Sequence, residues 1–262
     1  MSEAKINTKI DNYSNNMWAE IYDQYNEIRH VEEKDFYYEE LKDIKGKILE
    51  ISCGTGMILL DFLEKDLDMY GVDISAEMLN VLYKKAMKNE VKDIRKRVRR
   101  QDMVEFFFEE KFDAIIIPAR SFLHIAEQSE QIKCLENIYR HLNENGKLII
   151  NFFNIDLARL VKDFELNKEY NFVDKYKDAE DKEIELFTRQ FNDPITQIMN
   201  INWKFVKDEE ISVTTMLVRW IFPEEFKLLL KVAGFKTYEL YGSFEKDKFN
   251  SKSKEIICIA NK

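Results

Sequence analysis

The residues best suited to chemistry lie between positions 50 and 124. Glu50-Ile51-Ser52-Cys53-Gly54-Thr55-Gly56 places an acid at the end of an apolar run and follows it with a glycine loop. Asp73 stands 19 residues beyond Gly54, and Asp102 closes Arg100-Gln101-Asp102. A glycine loop that opens a helix lets a ligand approach main-chain N–H groups closely. Two phosphate-binding patterns compete for it, and the spacing weakens both. A dinucleotide loop needs a third glycine where Leu59 stands, and a P-loop needs Gly-Lys-Ser/Thr where the chain reads Gly56-Met57-Ile58. Carboxylates at strand tips do different work. Asp73 is placed to accept hydrogen bonds from two ribose hydroxyls, and Asp102 from an exocyclic adenine amine. Acids on three successive strand tips ask for a nucleoside without phosphates.

A further candidate is His124, in Pro118-Ala119-Arg120-Ser121-Phe122-Leu123-His124-Ile125 after the fourth strand. Sites on such sheets lie at the carboxyl ends of strands, so His124 faces the ligand crevice, whereas His30 and His141 sit among helix-surface charges. His124 is either a general base near neutral pH or a structural histidine bonded to main chain.

These groups need a scaffold, and changes in hydrophobic period outline one. Strands are expected over Lys47–Ile51, Leu67–Asp73, Arg97–Asp102, Phe112–Ile117 and Lys147–Phe153, alternating with helices over Met57–Lys65, Ser75–Lys88 and Glu127–Leu142. Ser75 is an N-cap candidate. Apolar strands alternating with helices give a parallel sheet covered on both faces. Residues 13–45 carry Tyr13, Trp18, Tyr22, Tyr25, Phe36, Tyr37 and Tyr38 among charges, which suits two short amphipathic helices. Beyond Asn154 come a helix over Leu157–Phe164, a charged loop, and three strand-like runs, Ile184–Phe191, Thr196–Val206 and Ile211–Ile221. Short turns between them indicate an antiparallel meander inserted before the last helix, Pro223–Ala233, which begins at Pro223 and ends before Gly234. The reversed pair Lys236–Tyr241 and Glu255–Ala260 closes the chain. The expected organisation is a helical cap over 1–45, a core made of 46–154 with 222–262, and a lid over 155–221.

Composition narrows the function classes. The 262 residues carry 40 Lys and Arg against 49 Asp and Glu, a net charge of −9, which disfavours nucleic acid as a partner. The basic run Lys92–Arg100 lacks interleaved aromatics for base stacking and reads as a solvated connection. Three widely separated cysteines without CxxC spacing read as reduced thiols, and no metal is expected. No apolar run is long enough for a membrane helix, and Met1–Asn12 is unlike a signal peptide, so a cytoplasmic location is expected.

The motifs together resemble the class I S-adenosylmethionine-dependent methyltransferases. Leu49–Gly56 is similar to their first motif, Tyr70–Leu79 to their ribose-binding segment, and Gln101-Asp102-Met103 to their adenine segment. The resemblance implies a doubly wound α/β architecture with a mostly parallel, seven-stranded Rossmann-like sheet. It implies S-adenosyl-L-methionine as cofactor, bound by Tyr22, Glu50, Ser52, Cys53, Gly54, Gly56, Asp73, Ile74, Met78, Gln101, Asp102, Met103 and Pro118. Ser52 departs from the pattern by standing where the first glycine is usual. The aromatic cap, the lid, Ser121-Phe122-Leu123-His124 and Phe222-Pro223-Glu224-Glu225-Phe226 narrow the likeness to small-molecule members such as sugar-amine N-methyltransferases. That likeness implies His124 and Tyr22 at the catalytic centre, and Trp18, Tyr25, Ser121, Arg189, Arg219 and Trp220 around the acceptor. The expected activity is methyl transfer to N or O of a small polar metabolite, and a homodimer is allowed. The alternatives are an RNA or protein methyltransferase docking through Lys92–Arg100, and a non-catalytic nucleoside-binding protein.

Overall fold

A computed structural model describes residues 7–10, 15–27, 31–162 and 169–262. Tyr13, His30 and the end of the helix expected over Leu157–Phe164 lie outside the described residues. The chain begins with strand β1 (Asn7–Ile10), then helices α1 (Asn16–Asn26) and α2 (Val31–Leu41). Asn15 caps α1 by accepting from the Trp18 N–H at 3.2 Å, which satisfies one of the donors a helix start leaves open.

The core runs through β2 (Ile48–Ile51), α3 (Leu59–Glu64), β3 (Met69–Asp73), α4 (Ala76–Lys88), the one-turn α5 (Ile94–Arg97), β4 (Val98–Arg100) and β5 (Phe112–Ile117). A 3-10 turn at Ser121–His124 leads to α6 (Gln128–His141), β6 (Leu142–Phe153) and α7 (Leu157–Lys162). Ser75 caps α4, its hydroxyl accepting from the Met78 N–H at 3.1 Å. The strands β2, β5 and most of β6 are buried on both sides. Their predominantly apolar, buried stretches match a sheet sandwiched between helical layers. Gly71 sits mid-strand in β3 for a packing reason. A Cβ there would lie 2.5 Å from Leu59 Cδ1 and 2.9 Å from Cys53 Sγ, so only glycine lets α3 and the loop after β2 press onto the sheet.

Four strands follow: β7 (Asn171–Lys177), β8 (Glu183–Asp193), β9 (Ile198–Lys207) and β10 (Glu210–Arg219). The chain ends with α8 (Pro223–Ala233), β11 (Thr237–Tyr241) and β12 (Glu255–Asn261). Gly234 stops α8 in the left-handed region, at φ 107°. The main sheet is ordered β11-β12-β6-β5-β2-β3-β4, with β12 antiparallel to both neighbours and the remaining pairs parallel. The direction of progression reverses between β2 and β5, which opens a crevice at their carboxyl ends.

The second sheet is ordered β1-β10-β9-β8-β7. Two of its strands depart from the sequence expectation. The charged loop before β8 contains β7, whose residues are mostly exposed and therefore carry no apolar run. The N-terminal segment adds β1, parallel to β10, a pairing across most of the chain that leaves no local pattern. Trp203, Phe205, Met216 and Val218 bury one face of this sheet in the same hydrophobic cluster as Trp18, Ile21 and Phe122. No helix among the described residues is long and apolar enough to cross a membrane.

Candidate active site

The loop leaving β2 turns through three residues in the left-handed region: Ser52 at φ 59°, Gly54 at 51° and Gly56 at 79°. For Ser52 this conformation costs about 1–2 kcal/mol, which explains why glycine suits the position. The loop is fastened to the next strand tip by Asp73. One carboxylate oxygen of Asp73 accepts from the Gly54 N–H and the other from the Ser75 N–H, each at 2.8 Å. Burial pushes the Asp73 carboxyl up, and these N–H bonds oppose the shift. At the tip of β4, Gln101 accepts from the Phe107 N–H at 2.6 Å, and Asp102 accepts from the Val104 N–H at 2.8 Å.

Two cavities flank the loop. The larger, about 330 Å³, is lined by Tyr22, Ser52, Gly54, Val72, Asp73, Ile74, Met78, Gln101, Asp102, Met103, Val104, Ser121, His124, Ile125, Glu130 and Leu217. Ile74 is 51% exposed, an apolar side chain presented to the opening. The smaller cavity, about 100 Å³, is lined by Tyr22, Asn26, Glu27, Val31, Glu33, Lys34, Glu50, Ser52, Cys53, Gly54, Thr55, Met57, Ile58, Pro118 and Ala119. Tyr22, Ser52 and Gly54 wall both. Glu50 is buried, and its Oε2 has no hydrogen-bond partner. Burial, then the carboxylates of Asp73 and Glu33, hold its carboxyl well above the usual range. Glu33, from α2, accepts the Ala119 N–H at 2.5 Å and so fixes the turn after β5.

His124 Nδ1 lies 3.4 Å from the Leu217 carbonyl of β10. Burial lowers its pKa to about 4, against the opposing effect of that bond. The imidazole is neutral at physiological pH, and with Nδ1–H directed at Leu217 its Nε2 is the lone-pair nitrogen.

The structure therefore gathers Tyr22, Ser52, Gly54, Asp73, Ile74, Met78, Gln101, Asp102, Met103, Ser121 and His124 around one cavity, and Glu50, Cys53 and Pro118 around its neighbour. Gly56 lines neither. A Cβ on it would meet Leu60 and Leu82 side chains at 3.0 Å, so this glycine serves the packing of α3 on α4. The Cys53 thiol lies against Gly71, buried in the second core cluster, and burial pushes it up.

Five expected acceptor residues stand away from both cavities. Trp18 stacks on Trp203 with centroids 5.3 Å apart, and Tyr25 packs on both rings and on Tyr176, forming a seam between α1 and the lid. Arg189 bonds to Asn202 at 3.0 Å and lies over the Tyr170 ring. Arg219 pairs with Glu225 and donates to the Ala126 and Thr196 carbonyls, tying the lid to α8. Trp220 is buried with its edge toward Phe222.

His141, expected among surface charges, is buried instead. Its Nδ1 lies 2.8 Å from the Asn137 carbonyl, and its Nε2 accepts from the Phe108 N–H at 3.3 Å. The basic run is engaged internally: Arg97 with Asp68, Arg95 over Tyr83, Arg99 over Phe108 and Arg100 with the Ile74 carbonyl. The cysteines are free and buried. Sequence reasoning missed Glu33, Thr55, Glu130 and Leu217. Thr55 lies inside the glycine motif, and the other three have no local signature.

Residues 48–146 match the family described as a methyltransferase domain. The chain is 26% identical over 240 residues to a glycine/sarcosine N-methyltransferase of Halorhodospira halochloris, covering 88% of this chain and 81% of that protein. Its fold is similar to that of an S-adenosylmethionine-dependent methyltransferase from Clostridium acetobutylicum ATCC 824, with a TM-score of 0.74 at 19% identity over 94% of this chain and 98% of that one. It is also similar to the sugar N-methyltransferase KedS8 from Streptoalloteichus sp ATCC 53650, with a TM-score of 0.69 at 16% identity over 100% of this chain and 98% of that one. The glycine loop and the acid on the following strand tip both fall within residues 48–146, the part of the chain that matches the methyltransferase domain.

Proposed function

We propose that the chain is an S-adenosylmethionine-dependent methyltransferase that moves a methyl group to nitrogen or oxygen of a small polar acceptor held beneath the lid. One observation carries this reading. A single cavity is lined both by the nucleoside-type groups Asp73, Ile74, Gln101 and Asp102 and by Tyr22, Ser121, His124 and the lid residue Leu217. The donor set suits the cofactor. Asp73 offers two oxygens to a ribose, the exposed Ile74 side chain offers an apolar face to a base, and the buried, unpartnered Glu50 Oε2 calls for a polar group of the ligand.

When bound, the cofactor supplies an electrophilic methyl group on a sulfonium sulphur. The protein aligns the acceptor and excludes water. Tyr22 closes the wall between the two cavities, and Ser121 with neutral His124 offers hydrogen-bonding partners to the acceptor atom. The acidic lining of Asp73, Asp102 and Glu130 favours an acceptor arriving as an amine over one presenting a carboxylate. The nitrogen-methylating names of the relatives agree with an amine. Internal engagement of Arg95, Arg97, Arg99 and Arg100 speaks against docking RNA through that run.

Incubation with S-adenosylmethionine and a panel of small amines and alcohols, read by mass spectrometry, tests the reading. The expected products are S-adenosylhomocysteine and a methylated amine. Failure of S-adenosylhomocysteine to bind in calorimetry would overturn the reading. Binding without turnover across the panel would favour the non-catalytic alternative.

A further inference from the structure

Helix α1 is held from two sides. Toward the lid, Trp18 stacks on Trp203. Gln24 pairs with the main chain of Lys177, donating to its carbonyl at 2.6 Å and accepting from its N–H at 3.2 Å. Toward the core, the connection is Asp23. Its Oδ1 accepts the Thr55 hydroxyl at 2.5 Å, and its Oδ2 accepts the Lys85 ammonium at 2.7 Å. Thr55 is the middle residue of the glycine loop and is 1% exposed, and Lys85 belongs to α4. The residue before Asp23 is Tyr22, which walls both cavities.

We propose that Asp23 is a positioning residue, a clasp that sets the rotation of α1, and with it the Tyr22 ring, against the glycine loop. The ligand named for this clasp rests on the S-adenosylmethionine reading above, whereas the docking of α1 does not. Asp23 and Lys85 expose 39% and 33% of their side chains, and a pair so open to solvent adds little to global folding. Its loss therefore loosens the seating of α1, which stays packed through Trp18 and Ile21, without unfolding the sheet, so its effect falls on the site. Because α1 also carries Trp18 and Gln24, closing the clasp on the loop brings the lid to the same position.

Asp23→Ala, Thr55→Val, the double variant and Thr55→Ser separate a clasp from general destabilisation. Two readouts are used: calorimetric affinity for S-adenosylhomocysteine, and amide hydrogen exchange without ligand. Each of the first two variants is expected to weaken binding about tenfold, the loss of one charge-assisted bond. The double variant is expected to weaken it no further than Asp23→Ala alone, since that change already removes the Thr55 bond along with the Lys85 pair. Thr55→Ser should recover the affinity lost in Thr55→Val. In the ligand-free protein, exchange over residues 16–26 should rise about tenfold while residues 112–117 stay protected.

Additive losses, wild-type affinity in both single variants, or exchange rising equally over 112–117 would overturn the clasp. If the wild type binds no S-adenosylhomocysteine but exchange over 16–26 still rises in the variants, the clasp stands and the cofactor reading falls. If the wild type binds and neither readout moves, the clasp alone falls.

Discussion

Asp73→Asn tests whether one carboxylate both organises the ligand-free loop and grips the ribose. In the structure both oxygens accept main-chain N–H groups, from Gly54 and Ser75, at 2.8 Å. An amide of the same size must turn its NH₂ toward one of these donors, losing a charge-assisted bond worth about 1.5–3 kcal/mol. With an unfolding entropy near 2.1 cal/mol/K per residue, a chain of 262 residues has about 550 cal/mol/K, so the ligand-free Tm should fall by about 3–5 °C. The second effect is larger in proportion. S-adenosylhomocysteine at about 100 times its Kd stabilises the wild type by about 2.7 kcal/mol, or about 5 °C. Losing the ribose bonds should weaken binding about 100-fold, and at the same ligand concentration the shift should shrink to about 1 °C or less. Differential scanning fluorimetry with and without ligand reads both numbers. A variant that keeps the full ligand shift would refute the ribose assignment. An unchanged ligand-free Tm would refute the claim that Asp73 holds the loop.

Trp18→Ala, which empties the stack on Trp203, should cost about 3–5 kcal/mol and lower the Tm by about 5–9 °C; a thermal melt within 2 °C of wild type, against that ~5 °C minimum, would contradict a packing role. His124 has a folded pKa lowered to about 4 from 6.5, so the folded state binds fewer protons than the unfolded chain between those values. Its contribution to stability is present above pH 6.5 and is lost as pH falls through 4. Compared with His124→Gln, the wild type should therefore lose more stability across that window, which paired urea titrations from neutral pH down to acid would measure. Parallel curves for the two proteins would show that His124 titrates at its ordinary value.

Much of the core was readable because its signals are local. Phe112–Ile117, apolar except for Asp113, forms β5, while Pro223 and Gly234 bracket α8. Ser75 caps α4 as its residue type suggests. The strand-tip acids were readable for the same reason, since loop, strand and helix follow one another directly. What escaped depends on tertiary contact. β7 is held by β8 with its side chains mostly in solvent, so no hydrophobic period marks it. Helical spacing groups Trp18, Tyr22 and Tyr25, but it does not say which ring meets a cavity and which meets Trp203. Arg219 and Trp220 looked like pocket residues because polar and aromatic side chains on a lid suit a ligand. Their partners, Glu225 and Phe222, instead make them part of the join between lid and core. Glu33 meets the turn after β5 only once α2 has docked.

The lid sheet ends on β7, which among the described residues has a neighbouring strand on one side only. Bare strand edges recruit other chains, and natural proteins guard them with charge and irregularity. β7 does both, through Asp174, Lys175 and Lys177 and through a register shift between Phe172 and Asp174. Gln24 adds a third safeguard by occupying the N–H and carbonyl of Lys177 like a one-residue strand. The helix that walls the cavity through Tyr22 thus also covers part of an exposed sheet edge, and losing the Gln24 contact would bare an adhesive rim there.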